Sequence, residues 1–253
     1  MPTRDSAWPA GTPCWIDYSA EDVGAAQRFY SAVLGWAFTE GRPEFGGYLT
    51  CLTNGLGAAG MMPKMEASQP SAWTTYFATD NTGQTASAIG EAGGTVVAGP
   101  HAVGSLGTMT IALDPVGVMF GTWEASEHTG VQIYNEPGSL VWNEAAMPDP
   151  SRAKAFYSEV FGFGFDPVEG VEDYATFTLG DGPLGGLGGH SPGSPQGWLV
   201  CFSVASTDEA VAAVESGGGK TLTAPQDTPF GRFAVVADPW GAEFELMSAP
   251  AAE

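Results

Sequence analysis

Cations are scarce in this 253-residue chain: eight Lys and Arg stand against twenty-nine Asp and Glu, a formal net charge of −21 at pH 7. A surface this acidic repels phosphate backbones and anionic headgroups, so neither nucleic acid nor membrane is expected as a partner. Cysteine is scarcer still. Cys14, Cys51 and Cys201 are odd in number, far apart and without a CxxC pair, which argues against a disulfide framework or a zinc site and leaves them as small buried hydrophobes. No apolar run nears the roughly 20 residues that cross a bilayer. The opening MPTRDSAWPAGTP lacks an apolar segment behind a basic start, so the expected address is the cytoplasm. The three histidines, His101, His128 and His190, fall in expected loops without HxH or HExxH spacing and read as surface residues.

What the chain does have is a second copy of itself. CWIDYSAEDVGAAQRFYSAVLGW returns as VWNEAAMPDPSRAKAFYSEVFGF, and the offset is 127 from Trp15 to Trp142 and from Phe29 to Phe156. It falls to 126 at Gly60 and Gly186, 125 at Trp73 and Trp198, and 124 at Asp114 and Asp238, so the copies differ by small loop deletions.

Both copies show one order of elements. A short strand (14–18; 141–145) precedes a helix capped by Asp22 or by Asp149-Pro150. Ala26, Phe29, Tyr30, Val33 and Leu34 form its apolar stripe, matched by Ala153, Phe156, Tyr157, Val160 and Phe161, and Gly35 or Gly162 ends it. Strands around 48–52 and 174–179, a glycine-rich strand, a strand from Trp73 or Trp198, a second helix from Thr82 or Thr207, and strands closing at an Asp-Pro turn complete each copy. The glycine segment GPLGGLGGHSPGSPQG ends without GK[ST] and runs into proline, so close backbone approach explains it better than phosphate binding. The expected organisation is a flexible tail (1–11), a module (12–124), a linker (125–138), a second module (139–248) and a flexible tail (249–253).

The D(x)6FY helix, the GG-containing strand and the DPxG turn, repeated in order over nearly the whole chain, resemble the vicinal oxygen chelate superfamily of glyoxalases, bleomycin-resistance proteins and extradiol dioxygenases. The tandem arrangement is similar to two-module actinobacterial members, some attached to aromatic natural-product pathways. The resemblance implies an α+β fold of two tandem βαβββ-containing modules, each curling its sheet around a hollow. It also implies metal-ligand positions, which fall here on Trp15, Trp73 and Gly121 and on Trp142, Trp198 and Glu245. Five of these six cannot ligate a metal, so no metal and no other cofactor is expected.

Residues two apart on a strand line one wall. Starting from those positions, the hollow of the first module is expected to receive Trp15, Asp17, Trp73, Thr75, Phe77, Met119, Gly121 and Trp123, and that of the second Trp142, Glu144, Trp198, Val200, Phe202, Glu243, Glu245 and Met247. Ile16, Val118, Phe120, Ala242, Phe244 and Leu246 then face the helices. Gly121 clears room in an apolar hollow, whereas Glu245 places a carboxylate in an acidic one. Indoles stack on flat rings and attract cations, each contact giving about 0.5 to 2 kcal/mol, although four tryptophans could equally fill the sheets.

Glu243 and Glu245 stand roughly 6.6 Å apart along a strand, near enough to perturb each other's ionisation unless Glu243 and Glu144 reach solvent. Three functions follow. The first is a metal-free binding protein that sequesters or carries an aromatic natural product, a cation among the candidates, acting as monomer or homodimer. The second is a metal-independent hydrolase, isomerase or hydroxylase-type enzyme with Glu245 and Glu144 as acid and base. The third is a metal-dependent lyase or dioxygenase.

Overall fold

The computed structural model describes residues 2–171, 173–180, 182–189 and 196–250, and His190 lies outside them. The first half runs β1 (Pro13–Ala20), α1 (Val23–Leu34), β2 (Ala37–Phe38), β3 (Leu49–Thr53), β4 (Leu56–Pro63), β5 (Ala72–Ala78), α2 (Thr82–Glu91), β6 (Thr95–Val103), β7 (Gly107–Leu113) and β8 (Met119–Ala125). The second repeats it as β9 (Leu140–Met147), α3 (Pro150–Phe161), β10 (Gly164–Pro167), β11 (Ala175–Leu179), β12 (Gly182–Gly189), β13 (Gly197–Ser203), α4 (Thr207–Ser216), β14 (Lys220–Thr228), β15 (Gly231–Ala237) and β16 (Glu243–Ser248). Each half forms one eight-stranded sheet, in the orders β2-β3-β4-β1-β5-β8-β7-β6 and β10-β11-β12-β9-β13-β16-β15-β14. This is the duplicated α+β architecture expected from the repeat. Among the described residues no helix is long and apolar enough to cross a membrane.

Local chemistry sets the helix ends. Asp22 accepts the Ala25 N–H and Asp149 the Arg152 N–H, while Gly35 and Gly162 close α1 and α3 at φ of 71° and 76°. The stripe of α1 is buried throughout; in α3, Val160 and Phe161 are only partly buried.

Neither half keeps a private core. Phe29, Tyr30 and Val33 of α1 share a cluster with Val200 and Phe202 of β13, Val211 and Val214 of α4, and Phe244 of β16. Reciprocally, Phe156 and Tyr157 of α3 pack with Phe77, Ile89 and Phe120 of the first half. Polar bonds lock the same surfaces. Asp238 accepts the Trp240 and Ala242 N–H groups on Oδ1, and on Oδ2 the hydroxyls of Tyr18 and, at 3.0 Å, Tyr30. Asp114 repeats this with the Val116 and Val118 N–H groups and, at 3.1 Å, the Tyr157 hydroxyl. Each Asp-Pro turn therefore holds the FY helix of the other half.

The segment before β1 and the one between the halves run together. Thr3 bridges Ile133, the Arg4 N–H donates to the Gln132 carbonyl, and Trp8 Nε1 donates to the Val131 carbonyl at 3.1 Å.

Candidate functional site in the second hollow

Strand register decides which side chains face each hollow, because directly paired residues share a face. Trp15 pairs with Tyr76 and Asp17 with Thr74, whereas Ile16 pairs with Thr75 and Tyr18 with Trp73. In the other sheet Trp142 pairs with Cys201 and Glu144 with Leu199, whereas Asn143 pairs with Val200 and Ala145 with Trp198. The expected walls on β5 and β13 are thus out by one residue. Trp73, Thr75, Phe77, Trp198, Val200 and Phe202 point beneath the helices, not into the hollows.

Packing explains why. Trp73 lies 5.1 to 6.0 Å from the rings of Tyr18, Tyr30, Trp36 and Phe202. Trp198 lies 5.0 to 5.5 Å from those of Phe77, Tyr157 and Phe177. Each indole N–H, costly to bury alone, donates to a core phenol: Trp73 to Tyr30 at 3.2 Å and Trp198 to Tyr157 at 2.7 Å. Trp15, Asp17, Gly121, Trp123, Trp142, Glu144, Glu243, Glu245 and Met247 do occupy the hollow-facing phase, and so does Met119, which is largely exposed at the start of β8. On the other phase Ile16, Val118, Phe120, Ala242, Phe244 and Leu246 are buried with the helices.

The first hollow is full. The Tyr76 ring lies directly over Gly121, where a Cβ would stand 2.2 Å from Tyr76 Cδ1. Trp15 Nε1 donates to the Tyr48 hydroxyl at 2.7 Å, and the Tyr76 phenol donates to Asp17, whose carboxyl is pushed up to about 7 by burial. His128 is not the surface histidine expected from its loop: its imidazole meets the Trp15 ring edge-on at 4.3 Å and that of Trp123 at 5.5 Å. Burial lowers its pKa to about 4, so it is neutral there. Trp15, Tyr76 and Trp123 are all buried. His101 is exposed on β6.

The second hollow holds different chemistry at the same places. Cys201 replaces Tyr76, Glu245 replaces Gly121, and Met247 replaces Trp123. Glu144 Oε2 accepts both Trp142 Nε1 at 3.0 Å and the Tyr174 hydroxyl at 2.9 Å. Tyr174 crosses the sheet so closely that a Cβ at Gly186 would stand 1.8 Å from its oxygen, which is what requires glycine there. Trp142, Glu144 and Tyr174 are half-buried and reach the surface, while Glu245 beside them is 4% exposed. Glu243 is half-buried and pairs with Ala237. No motif in the sequence marked Tyr48, Tyr76, Tyr174, Cys201 or His128 as lining a hollow. One signal existed: Tyr48 and Tyr174 are 126 apart, the offset of Gly60 and Gly186.

Burial pushes Glu144 up to about 7, and burial together with the charge of Glu144 pushes Glu245 well above the usual carboxylate range. Glu245, bonded to Cys201, is therefore the neutral acid of the pair. Unfolded, it ionises near 4.5; folded, it keeps its proton, so native stability falls as pH rises above that value. Glu245→Gln, neutral at every pH, is expected to exceed the parent in stability at pH 7.5, with the gap closing toward pH 4.5. Urea unfolding at the two pH values checks this; a gap independent of pH contradicts it.

The sequence profile of the Glyoxalase/Bleomycin resistance protein/Dioxygenase superfamily matches residues 14–122 and 139–246. The chain belongs to that superfamily. It is 34% identical over 256 residues to CFP32 of Mycobacterium tuberculosis, a protein named as a suspected glyoxylase, covering 98% of each chain. It is 32% identical over 257 residues to the anthracycline biosynthesis protein DnrV of Streptomyces peucetius, covering 94% of this chain and 93% of that one. The Mn(II)-bound glyoxalase of Novosphingobium aromaticivorans shares the fold at a TM-score of 0.68 and 15% identity, over 94% of this chain and 82% of that one.

The superfamily includes metal enzymes, but the residues of this chain do not fit a divalent ion. Among the described residues the second hollow offers no histidine; Glu144 is engaged by Trp142 and Tyr174, and Glu245 is held protonated against Cys201. Among the described residues no group of three or more His, Cys, Asp or Glu is placed to hold a metal.

Proposed function

We propose that this superfamily member is a metal-free binding protein that sequesters or carries an aromatic small molecule in the hollow of its second module. The observation that carries this reading is the contrast between equivalent tryptophans. Trp15 is buried under His128 and beside Tyr76, whereas Trp142 is half-exposed beside Tyr174, with Cys201 and Met247 in place of the first module's Tyr76 and Trp123. An aromatic wall with a few polar groups is the usual lining of a small-molecule site. The likeness to DnrV, an anthracycline biosynthesis protein, supports a fused-ring ligand. Because Glu245 keeps its proton, the Glu144–Glu245 pair carries at most one negative charge near neutral pH, so the hollow suits neutral aromatics as well as cationic ones.

Titration with a panel of anthraquinones is expected to quench tryptophan fluorescence, and Trp142→Ala to weaken binding at least about tenfold through loss of the stacking wall. A parent protein that responds to none of the panel, by fluorescence or calorimetry, overturns the reading.

One observation favours a second reading, catalysis. A neutral acid beside a carboxylate whose pKa is about 7 is the arrangement from which a proton can be given at one point of a ligand and taken at another. Conversion of a bound anthraquinone, seen by mass spectrometry and lost in Glu144→Gln, would move the protein to that class.

A further inference from the structure

Resting on the binding reading above, we infer that the ligand of the second hollow is a phenol, whose hydroxyl donates to Glu144 Oε1 in the place where the first module uses its own tyrosine. The two modules carry a carboxylate at the same point of their first strands, Asp17 on β1 and Glu144 on β9. In the first module two phenols attend it. Tyr76 donates to Asp17 from the adjacent β5, and Tyr48 lies against the same carboxylate while accepting the Trp15 N–H.

In the second module only one of these phenols remains. Tyr174, the counterpart of Tyr48, donates to Glu144 Oε2, which also takes the Trp142 N–H. The counterpart of Tyr76 is Cys201, and its thiol turns to Glu245. No donor among the described residues reaches Glu144 Oε1, yet the residue lies at a half-open aromatic wall. A carboxylate without the second internal phenol of its counterpart, beside an indole that no ring among the described residues covers, is complementary to a phenol from outside.

Other donors fit less well. A buried ammonium brings three N–H groups that each require an acceptor, whereas a phenol brings one. The nearest hollow-facing neighbours offer few acceptors: Leu199 and Val235 are apolar, and Cys201 and Glu245 bond to each other. A carboxylic acid would meet Glu144 as a like charge. The phenol makes a charge-assisted O–H···O bond, the stronger kind of hydrogen bond.

The test compares 2-naphthol with 2-methoxynaphthalene by isothermal titration calorimetry at pH 8. The parent is expected to bind the naphthol at least about tenfold more tightly than the ether, a preference of the size a charge-assisted bond supplies. Glu144→Gln is expected to reduce the ratio of the two affinities to about threefold or less. The double change Cys201→Tyr with Glu245→Gly, which rebuilds the first module's pair, is expected to abolish naphthol binding with the circular dichroism spectrum unaltered. It keeps the test decisive if Glu144→Gln fails to fold. Equal affinity of the parent for both probes overturns the phenol inference and leaves aromatic binding standing. Absence of binding by either probe overturns both.

Discussion

Gly121→Glu is expected to destabilise the protein by more than about 3 kcal/mol, and adding Tyr76→Cys to the same chain to restore most of that loss. A Cβ at 121 would stand 2.2 Å from Cδ1 and 2.4 Å from Cε1 of Tyr76, inside the ring's own volume. The ring cannot simply swing aside, since its hydroxyl is bonded to buried Asp17 and its neighbours Trp15 and Trp123 are buried too. Tyr76→Cys alone removes that ring and strips Asp17 of its donor, a cavity plus an unsatisfied group worth about 3 to 5 kcal/mol. Together the two changes reproduce Cys201 and Glu245, a pair that the second module packs with Cys201 fully buried and Glu245 4% exposed. Urea unfolding of the four proteins closes a double-mutant cycle. Simple additivity of the two losses would show that the modules do not solve the same packing problem in two ways.

How much of this was legible in the sequence follows from particular residues. The duplicated α+β fold was readable because its markers are local: Asp22 and Asp149 at helix starts, Gly35 and Gly162 at their ends, and Asp-Pro at two turns. The faces of β1, β8, β9 and β16 were readable because polar or small residues alternate with large apolar ones, as in Glu243-Phe244-Glu245-Leu246. The faces of β5 and β13 were not. Ala-Trp-Thr-Thr-Tyr-Phe-Ala and Gly-Trp-Leu-Val-Cys-Phe-Ser show no polar-apolar alternation, because one phase meets the helices and the other fills the hollow. Register breaks between Pro13 and Trp15 and between Cys201 and Phe202 shift the count by a residue, so spacing along the chain loses the phase.

His128 escaped for another reason. A loop histidine reads as solvated unless something shows that its loop folds back onto two indoles. That contact depends on Trp8 and the β1 end of the sheet holding Val131, which no periodicity encodes. Within the candidate site, Trp142, Glu144 and Glu245 were found from their strand positions. Tyr174 and Cys201 take part only through pairing across strands.

Asp238→Ala is expected to cost about 3 to 5 kcal/mol, with Asp114→Ala costing roughly 1 to 2 kcal/mol less. Both carboxylates accept two backbone N–H groups, which fix the Asp-Pro turns. The difference lies in the phenols of the other half. Asp238 receives Tyr18 and Tyr30, whereas Asp114 receives Tyr157, because the residue matching Tyr18 in the second half is Ala145. Removing Asp238 takes a carboxylate acceptor from two buried hydroxyls and removing Asp114 takes it from one, which sets the order. The Tyr30 and Tyr157 hydroxyls also receive the N–H of Trp73 and Trp198 respectively, so the loss extends into both shared cores. The same argument predicts one cooperative transition for the parent, since α1 is covered by Phe202 and Phe244 and α3 by Phe77 and Phe120. Thermal unfolding followed by far-ultraviolet and tryptophan signals checks both points: coincident curves in the parent, and a larger fall in midpoint for Asp238→Ala than for Asp114→Ala. Two separated transitions in the parent, or equal falls in the variants, would show that the halves are stable without the bonds between them.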